Sequence, residues 1–532
     1  MAGDLLIRGA RVIDGTGAPW FLGDVRLHAG RIAVIAPSLP ADDADILDAG
    51  GRYLAPGFID AHCHDDLMCL REPERVEKAV QGVTTVVVGN CSFSLYPTMP
   101  RSAELLRQHF SALLGETTAD EVFESFAAYR EALHRRGTAL NLVSLVGHAA
   151  LRLAVMGYER RAATAAERAT MQTLLAHQLA DGAAGLSLGL VYPPSAYADD
   201  IEMVALAETV KAHGKLLTAH IRSYEAGLLK ATDEFLGILR AADTPGLLSH
   251  LQSAGRPNWG AVPRALERLE SARRDGLDVS FDMYPYPAGS SYVLQLLPPE
   301  TLEGGLEGLL AQLRDPDRRE ALRRLVEEGH PDPGAAQSKI VLIGWNNVRI
   351  SGTSNPALKH FEGKAMEAAA AEAGITPFDL MARFIEEDAG QTAIVMFQLA
   401  EGDLRAACTH PLHMVGSDSL PRPGTKPHPR AFGTFPRVAG RLRRDQGWFA
   451  LEDAVRRMTS VAAQRFGLHD RGLVRPGMVA DLVLFDDDID DRATFDEPTQ
   501  LASGVRHVWV AGEAIVADGR STGLRPGRML GV

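Results

Sequence analysis

The sequence is poor in the features that mark secreted, membrane-bound and nucleic-acid-binding proteins. Its 532 residues include 4 cysteines, too few for a disulfide scaffold of this size, and we therefore expect a cytoplasmic location. Apolar runs of 18 residues, the length that crosses a bilayer as a helix, are missing. Asp and Glu outnumber Lys and Arg by 68 to 55. This negative balance disfavours nucleic-acid and anionic-membrane partners, because both require a basic surface.

Two further absences narrow the class of protein. The N-terminus has no basic segment followed by a long apolar one, so a conventional secretory signal is not expected. A glycine-rich phosphate-binding loop after the first strand-like run is also missing, which disfavours a doubly wound nucleotide-binding sheet.

The middle of the chain alternates strand-like and helical stretches. The strand-like runs lie at residues 84–88, 142–146, 185–190, 215–220 and 246–250. The stretches between them are rich in Ala, Leu, Glu and Arg, and this alternation predicts βα units, a parallel sheet and the α/β class. The length of the interval, residues 56–474, predicts a closed (β/α)8 TIM-like barrel with an insertion. A doubly wound sheet is the alternative.

Both ends of the chain differ from the middle, because short apolar and β-branched runs follow one another there without helical stretches. In residues 1–55 these runs lie at 4–8, 11–14, 24–28 and 31–35. In residues 475–532 a Pro-Gly turn at 476–477 precedes runs at 481–485 and 505–510. Both ends therefore predict short strands separated by turns, outside the barrel.

Residues 288–340 interrupt the alternation of the middle region. They contain an apolar Leu-Leu-Pro segment at 296–298, a charged helical stretch at 315–328 and a Pro/Gly turn at 331–334. We interpret the segment as a lid inserted over one mouth of the barrel. A helical hairpin on the surface is the alternative.

The first candidate for chemistry is Gly-Phe-Ile-Asp-Ala-His-Cys-His-Asp-Asp at residues 57–66. Its apolar start predicts a strand. His62 and His64 then project from the same face at the strand end, because strand side chains alternate with a period of two. Two such imidazoles can bind one divalent ion such as zinc.

Four other apolar runs end in metal-binding or acidic side chains. A Val-Val-Val-Gly-Asn run ends in Cys91, two leucine-rich runs end in His220 and His250, and a Met-Val-Gly-Ser run ends in Asp418. In a (β/α)8 barrel all carboxyl ends of the strands meet at one mouth. The sequence therefore predicts one metal pocket, although each histidine by itself has a structural alternative.

Segments spread over most of the chain carry a resemblance to a known family, at residues 57–66, 82–91, 220–223, 282–286, 416–418, 428–430 and 433–437. The pattern resembles the amidohydrolase superfamily, and within it the D-aminoacylase (N-acyl-D-amino-acid deacylase) branch. Gly-Asn-Cys at 89–91 is the most discriminating segment, because this branch offers a cysteine thiolate where many superfamily members use a carboxylated lysine.

The resemblance implies a fold and an activity. A small β-sandwich domain would be built from residues 1–55 and 475–532, beside the barrel. The enzyme would hydrolyse the amide bond of an N-acyl-D-amino acid to a carboxylate and a free D-amino acid. Its partner would be a small-molecule amide, bound by a monomer or a small homo-oligomer.

The resemblance also implies a set of metal ligands. Cys91, His220 and His250 would hold one tightly bound Zn²⁺, and His62 and His64 would help to form a second, weaker or optional metal position. A thiolate with imidazoles gives a tetrahedral zinc site that leaves one place for water. For Cys91 the alternative is a small buried apolar side chain.

Asp418 is the predicted catalytic acid and base. Zinc lowers the pKa of water that it binds, and Asp418 would accept a proton from this water. It would then deliver the proton to the departing amine nitrogen. A structural role as a helix N-cap is the alternative for this aspartate.

The free carboxylate of an N-acyl amino acid requires a cation, and Arg430 is the candidate because a guanidinium binds a carboxylate bidentately. The resemblance adds Tyr284 and Ser291 as hydroxyl partners of the same carboxylate. Tyr192 and Gln252 are further candidate substrate contacts. In related deacylases a lysine often lies where Gln252 stands, so its neutral amide predicts a substrate with a neutral or apolar side chain.

Other activities stay open as alternatives. Gly-Leu-Ser-Leu-Gly at 185–189 fits the nucleophile elbow of serine hydrolases, but Pro193 and Pro194 oppose the helix that has to follow the serine. A cyclic-amide hydrolase of hydantoinase or dihydroorotase type would carry a carboxylated lysine in place of Cys91. A third alternative is the hydrolysis of another amide, such as a D-containing dipeptide. Asp418 argues against a metal-binding scaffold without activity.

Overall fold

The computed structural model describes residues 4–332, 335 and 337–532 of an α/β protein. Numbered in chain order, its strands are β1 (Leu5–Val12), β2 (Phe21–His28), β3 (Arg31–Ala36), β4 (Asp45–Asp48), β5 (Tyr53–Pro56), β6 (Phe58–Asp60), β7 (Val83–Val88), β8 (Asn141–Ser144), β9 (Val146–Gly147), β10 (Gly185–Gly189), β11 (Leu216–His220), β12 (Gly246–Leu248), β13 (Val279–Met283), β14 (Ala288–Tyr292), β15 (Val348–Gly352), β16 (Ala393–Phe397), β17 (His413–Val415), β18 (Leu482–Asp490), β19 (Ser503–Val510), β20 (Glu513–Ala517) and β21 (Arg520–Ser521).

The α-helices are α1 (Met68–Arg71), α2 (Val76–Ala79), α3 (Ala103–Leu114), α4 (Phe126–Arg136), α5 (His148–Val155), α6 (Ala165–Ala180), α7 (Asp200–Ala212), α8 (Leu228–Ala242), α9 (Val262–Arg274), α10 (Gly305–Arg314), α11 (Pro316–Glu327), α12 (Lys339–Ile343), α13 (Met366–Ala373), α14 (Pro377–Glu387), α15 (Glu401–Thr409), α16 (Arg430–Arg437), α17 (Leu451–Met458) and α18 (Ser460–Arg465). Among the helices of the described residues, none has both the length and the apolar character that crossing a membrane requires.

Parallel strands form the centre of the molecule. They pair in the order β17-β13-β12-β11-β10-β9, and β6, β7 and β8 form a second parallel ladder. Backbone hydrogen bonds join the two ladders on both sides, from Ala184 N to Ser144 O and from Ala61 N to Val415 O. The Val-Thr-Thr-Val-Val-Val run of β7 is buried at every position, as expected for a β-branched strand covered on both faces. The predicted α/β class is confirmed.

Strands from both ends of the chain form one sheet. Within the described residues its hydrogen-bonded order is β21-β20-β19-β18-β5-β1-β2-β3, and β4 also pairs with β1. β5 and β18 connect the two ends, for example through the pair Leu54 and Leu484. The runs predicted at residues 4–8 and 11–14 form the single strand β1, whose register shifts between Ile7 and Ala10. Gly9 lies at this shift with a φ of 65°, which glycine adopts without strain.

The long segment between β13 and β17 has a hydrophobic core of its own. β14, β16 and β15 form a small antiparallel sheet there. Buried side chains between Val293 and Met396 form a cluster apart from that of the parallel strands. α11 covers most of the predicted charged stretch at 315–328, and it begins after Asp315, whose carboxylate accepts hydrogen bonds from the first backbone N–H groups of the helix. Residues 333 and 334 of the predicted turn lie outside the described residues.

Candidate metal centre

Side chains that can bind metals follow the carboxyl ends of the parallel strands. His62 and His64 follow β6, Cys91 follows β7, His220 is the last residue of β11, His250 follows β12, and Asp418 follows β17. Because parallel strands end at the same edge, the fold brings these positions together although 356 residues of sequence separate the first from the last. The side chains that were expected to meet do lie together.

Cys91 lies at the centre of one group of candidate ligands. Its Sγ is 3.3 Å from His62 Nε2 and 3.4 Å from His250 Nε2. The rings of His220 and His250 have centroids 4.6 Å apart. Two ligands of one tetrahedral zinc ion, a sulfur and a nitrogen, are about 3.6 Å apart, so these separations suit a shared ion.

Asp418 belongs to a second group, which shares His62 with the first. Asp418 Oδ1 is 3.4 Å from His64 Nε2 and 3.6 Å from His62 Nε2. Its other oxygen, Oδ2, is 2.9 Å from Nη1 of Arg430. The carboxylate therefore lies between the histidines and a buried cation.

The electrostatic environment of this site favours ionised Cys91 and neutral His220. Burial by itself would raise the pKa of Cys91, but the charges of His62 and His250 and a hydrogen bond with His220 hold it well below its usual value. Burial lowers the pKa of His220 to about 4. Thiolate and neutral imidazole are the forms that bind metal ions. Burial by itself would lower the pKa of His64, but its hydrogen bond with Asp418 raises it to about 9, so this ring has to lose a proton when it binds a metal ion.

Three of the candidate site residues have a left-handed backbone conformation, which residues other than glycine rarely adopt. Cys91, His250 and Asp418 have φ values of 52°, 36° and 49°, in the left-handed region. Such a conformation costs a residue other than glycine about 1–3 kcal/mol and persists where the surroundings enforce it, most often at functional sites. One enforcing bond runs from Asp418 N to the carbonyl oxygen of His62, over 2.7 Å.

Asp282, at the end of β13, is a site residue to which the sequence alone assigned no role. Its Oδ1 accepts a hydrogen bond of 2.9 Å from His250 N, and its Oδ2 lies 3.2 Å from His62 Nδ1. It therefore holds the ring of one histidine and the backbone of another. A polar residue at the end of an apolar strand was the available clue, the same one that identified Asp418.

Lys78 is a second site residue to which the sequence alone assigned no role, and its side chain is fully buried. Its Nζ is 2.5 Å from Asp60 Oδ2 and donates a bond of 2.8 Å to Ser417 Oγ. Asp60 ends the strand before His62, and Ser417 immediately precedes Asp418. Lys78 thus connects two of the strand ends that carry candidate ligands, a role that its place on the short helix α2 does not reveal in the sequence.

A cavity of about 520 Å³ opens next to these groups. Its lining includes His64, Cys91, His220, His250 and Asp418, together with the predicted substrate contacts Tyr192, Gln252, Tyr284 and Ser291. Arg430 is fully buried behind this wall, with its guanidinium carbon 4.6 Å from the centre of the Tyr284 ring. The hydroxyl of Tyr284 donates to Gln252 Oε1 over 3.0 Å. The inserted segment contributes Leu296, Leu297 and Pro298 to the lining.

The Gly-Leu-Ser-Leu-Gly segment does not have the geometry of a nucleophile elbow. It forms the whole of β10, and Ser187 is buried in the middle of this strand. An elbow requires the serine at a sharp turn between a strand and a helix. The structure therefore excludes Ser187 as the nucleophile of a serine hydrolase.

The chain matches known proteins along nearly its whole length. The model of the Amidohydrolase family matches residues 45–283 and 343–516. D-aminoacylase from Alcaligenes xylosoxydans xylosoxydans is 35% identical over 99% of this chain and 97% of that protein. Two solved structures each cover 100% of both chains at 35% identity with a TM-score of 0.82. One is D-aminoacylase, studied for its binuclear metal centre, and the other is N-acyl-D-glutamate deacylase from Bordetella bronchiseptica, in complex with zinc and a phosphonate inhibitor. The chain therefore belongs to the amidohydrolase family, in its D-aminoacylase branch.

Proposed function

We propose that the protein is a zinc-dependent amidohydrolase that cleaves N-acyl-D-amino acids to a carboxylate and a free D-amino acid. The observation that carries this proposal is the position of the Cys91 thiol, within 3.4 Å of two imidazoles and in the same cavity as Asp418. The relatives named as D-aminoacylase and N-acyl-D-glutamate deacylase act on this class of substrate.

The donor set fits zinc, because a thiolate and imidazoles are ligands that this ion prefers. Cys91, His220 and His250 would hold the tightly bound ion. His62 and His64 would help to form a second, weaker position. The binuclear centre of D-aminoacylase supports two positions. In this chain the two groups of close ligand atoms share His62: it joins Cys91 and His250 in one group, and His64 and Asp418 in the other. The ring of His220 lies beside that of His250. When bound, zinc would activate a water molecule and polarise the scissile carbonyl.

Asp418 moves the proton in this proposal. It accepts the proton of the attacking water and passes it to the nitrogen of the departing amine as the C–N bond breaks. Arg430 binds the free carboxylate of the substrate, supported by the hydroxyls of Tyr284 and Ser291. Ser291 lies in the lining of the cavity, where its side chain also interacts with that of Tyr192.

The cavity suits a substrate with a neutral or apolar side chain. The arginines and the lysine that line it each pair with a carboxylate already: Arg160 with Glu303, Arg161 with Glu167, Arg222 with Glu234, and Lys339 with Glu225. Gln252 is neutral and accepts the hydrogen bond of Tyr284. An acidic side chain would therefore enter the cavity without a free cation to compensate its desolvation.

We also infer the finer architecture that positions the site. The parallel strands between residues 56 and 474 close into one (β/α)8 barrel, which the hydrogen bonds at both joins of the two ladders support. Residues 1–55 and 475–532 form a small β-sandwich, supported by a buried cluster that combines Ile7 and Val25 with Leu482 and Trp509. Residues 288–340 form a lid over the mouth. The four cysteines are buried and form no disulfide bonds among the described residues, which suits a cytoplasmic location.

The first prediction tests the activity itself. The purified protein, incubated with zinc, is expected to release amine from N-acetyl-D-leucine and N-acetyl-D-methionine much faster than from their L-enantiomers or from N-acetyl-D-glutamate. Hydantoins and D-containing dipeptides serve as competing substrates. Asp418→Asn is expected to lower kcat at least about 1,000-fold, because the proton carrier is lost, while the zinc ion held tightly at Cys91 stays bound.

Two outcomes would contradict the proposed function. One is faster turnover of hydantoins than of N-acyl-D-amino acids. The other is full activity after complete removal of metal by a chelator, with zinc content measured by atomic spectroscopy. Wild-type rates in Asp418→Asn would remove this residue from the mechanism.

A further inference from the structure

The serine of the Gly-Leu-Ser-Leu-Gly segment binds the turn that carries Cys91. Ser187 Oγ accepts a hydrogen bond of 3.1 Å from Ser92 N and donates one to the carbonyl oxygen of Gly89. These two partners lie on either side of Cys91 in the chain. The fully buried hydroxyl of Ser187, on β10, therefore forms a hydrogen bond with each end of the turn that follows β7.

This turn needs such support because its backbone is strained. Cys91 and Ser92 are consecutive residues with φ values of 52° and 76°, and neither is a glycine. A backbone in this region relaxes unless neighbouring groups hold it. The Ser187 hydroxyl satisfies one N–H and one carbonyl of the turn within a buried environment, where unpaired polar groups are unfavourable.

Close packing against the same turn limits the directions in which it can move. A Cβ atom on Gly189 would lie 2.2 Å from the carbonyl oxygen of Cys91, and one on Gly147 would lie 2.3 Å from that of Ser92. Glycine at both positions therefore leaves space for the backbone of the turn, which any larger residue would contact too closely. Ser92 Oγ also accepts a bond of 2.6 Å from Ala149 N. The turn is packed on one side by backbone and fixed at its two ends by Ser187.

We propose that Ser187 is a positioning residue for the metal ligand Cys91. Its two hydrogen bonds hold the left-handed turn and thereby keep Cys91 Sγ within 3.4 Å of His62 and His250. This inference rests on the proposed function, because it takes Cys91 as a zinc ligand. Without the hydroxyl the turn relaxes towards ordinary backbone angles, and the thiolate is no longer presented to the ion together with the imidazoles.

Ser187→Ala tests this role, and Thr218→Val is the matched control. Thr218 lies directly opposite Ser187 on the neighbouring strand β11, is also fully buried, and its hydroxyl has no hydrogen-bond partner among the described residues. Metal-free protein is titrated with Cd²⁺ while the thiolate-to-cadmium charge-transfer absorption is recorded. Zinc affinity is measured by competition with a chromophoric chelator.

We expect Ser187→Ala to bind zinc and cadmium about 10- to 100-fold more weakly than the unmodified protein, the range for loss of a group that orients a ligand. Excess zinc is expected to restore most of kcat with KM unchanged. Thr218→Val is expected to bind both metals within about twofold of the unmodified protein. Unchanged affinity and absorption in Ser187→Ala, with circular dichroism showing a folded protein, would overturn the inference.

Ser187→Thr and Ser187→Val keep the experiment decisive if Ser187→Ala does not fold. These two side chains have nearly the same shape and differ in the hydroxyl. Weaker cadmium binding by Ser187→Val than by Ser187→Thr is expected, and equal binding would overturn the inference. A wild-type protein that binds cadmium without the thiolate absorption would instead remove Cys91 from the ligand set, and with it the proposed zinc site.

Discussion

Arg430 connects substrate binding to catalysis in the proposed mechanism. Its guanidinium is fully buried and 2.9 Å from Asp418, the proposed proton carrier. Burial by itself would raise the pKa of Asp418, and the charge of Arg430 is the largest of the influences that lower it. In the proposed mechanism Arg430 binds the carboxylate of the substrate, and Asp418 then loses part of this stabilisation. Its pKa then rises, which makes it a better proton acceptor.

Replacement of this arginine by methionine tests the assignment. Arg430→Met is expected to raise KM for N-acetyl-D-leucine roughly 100-fold, because removing one partner from a buried charge pair costs about 2–5 kcal/mol. The KM for the corresponding amide, which has no carboxylate, is expected to change much less. Arg441→Met, at a partly exposed arginine that pairs with Asp491, serves as a control. Equal changes of KM for acid and amide would place Arg430 outside the substrate pocket.

At the scale of secondary-structure elements, the ends of strands were more informative than any other feature of the sequence. The meeting of Cys91, His220 and Asp418 could be predicted, because parallel strands end at one edge and each run stops in a polar residue. The contacts of Asp282 and Lys78 could not. They depend on which strand pairs with which and on side-chain directions, and both are properties of the folded chain.

Two helices of the structure are joined by a buried ionic contact that also has a measurable consequence. Glu202 on α7 is 2.7 Å from His148 Nε2 and also pairs with Arg152, and both partners lie on α5. Burial by itself would raise the pKa of Glu202, but the hydrogen bond with His148 and the charge of Arg152 lower it to about 2. The folded state therefore favours the ionised carboxylate.

Glu202→Gln is expected to lower the free energy of unfolding by roughly 3 kcal/mol at pH 7, at 1.36 kcal/mol for each unit by which the pKa is lowered. Because the folded pKa lies below the unfolded value of 4.5, this contribution is present in full above pH 4.5 and is lost as the pH falls towards 2. The difference between variant and wild type should therefore be smaller at pH 3 in urea unfolding. Exposed Glu208 on the same helix provides the control, Glu208→Gln, with a change of less than about 0.5 kcal/mol. A difference that does not depend on pH would contradict the ionic explanation.

At the scale of the whole molecule, the inserted segment is the part that the sequence described least completely. Its start, its charged helices and its apolar Leu-Leu-Pro segment could be recognised, because they break the alternation of strands and helices. The pairing of β14 with β16, across about 100 residues, could not be read from local pattern. This pairing extends the segment's hydrophobic core to Met396. The segment is therefore a compact unit placed beside the cavity.

Polar contacts fasten this unit to the loops that follow β11 and β12. Gln337 Oε1 accepts hydrogen bonds from Ala226 N, over 3.1 Å, and from Asn258 Nδ2, over 3.2 Å. Lys339 forms a partly buried ion pair with Glu225. Each of these contacts lies at the rim of the cavity, where residues 296–298 of the same unit provide apolar lining. If the unit acts as a lid, these contacts are the ones that break when it opens.

Lys339→Met is expected to favour the open position, because it removes the cation of the Lys339–Glu225 pair while keeping the apolar stem of the side chain. Hydrogen exchange in residues 293–302 should become faster. KM for N-acetyl-D-leucine should rise about tenfold, because the substrate loses contact with the apolar wall that the closed segment provides. Zinc content should stay constant, because residue 339 is not among the candidate ligands. Lys364→Met removes a similar but more exposed pair with Glu372 elsewhere in the same unit, and it should change neither quantity. Equal exchange rates in the two variants would show that the segment is a fixed wall of the cavity, held by its own core rather than by contacts at the rim.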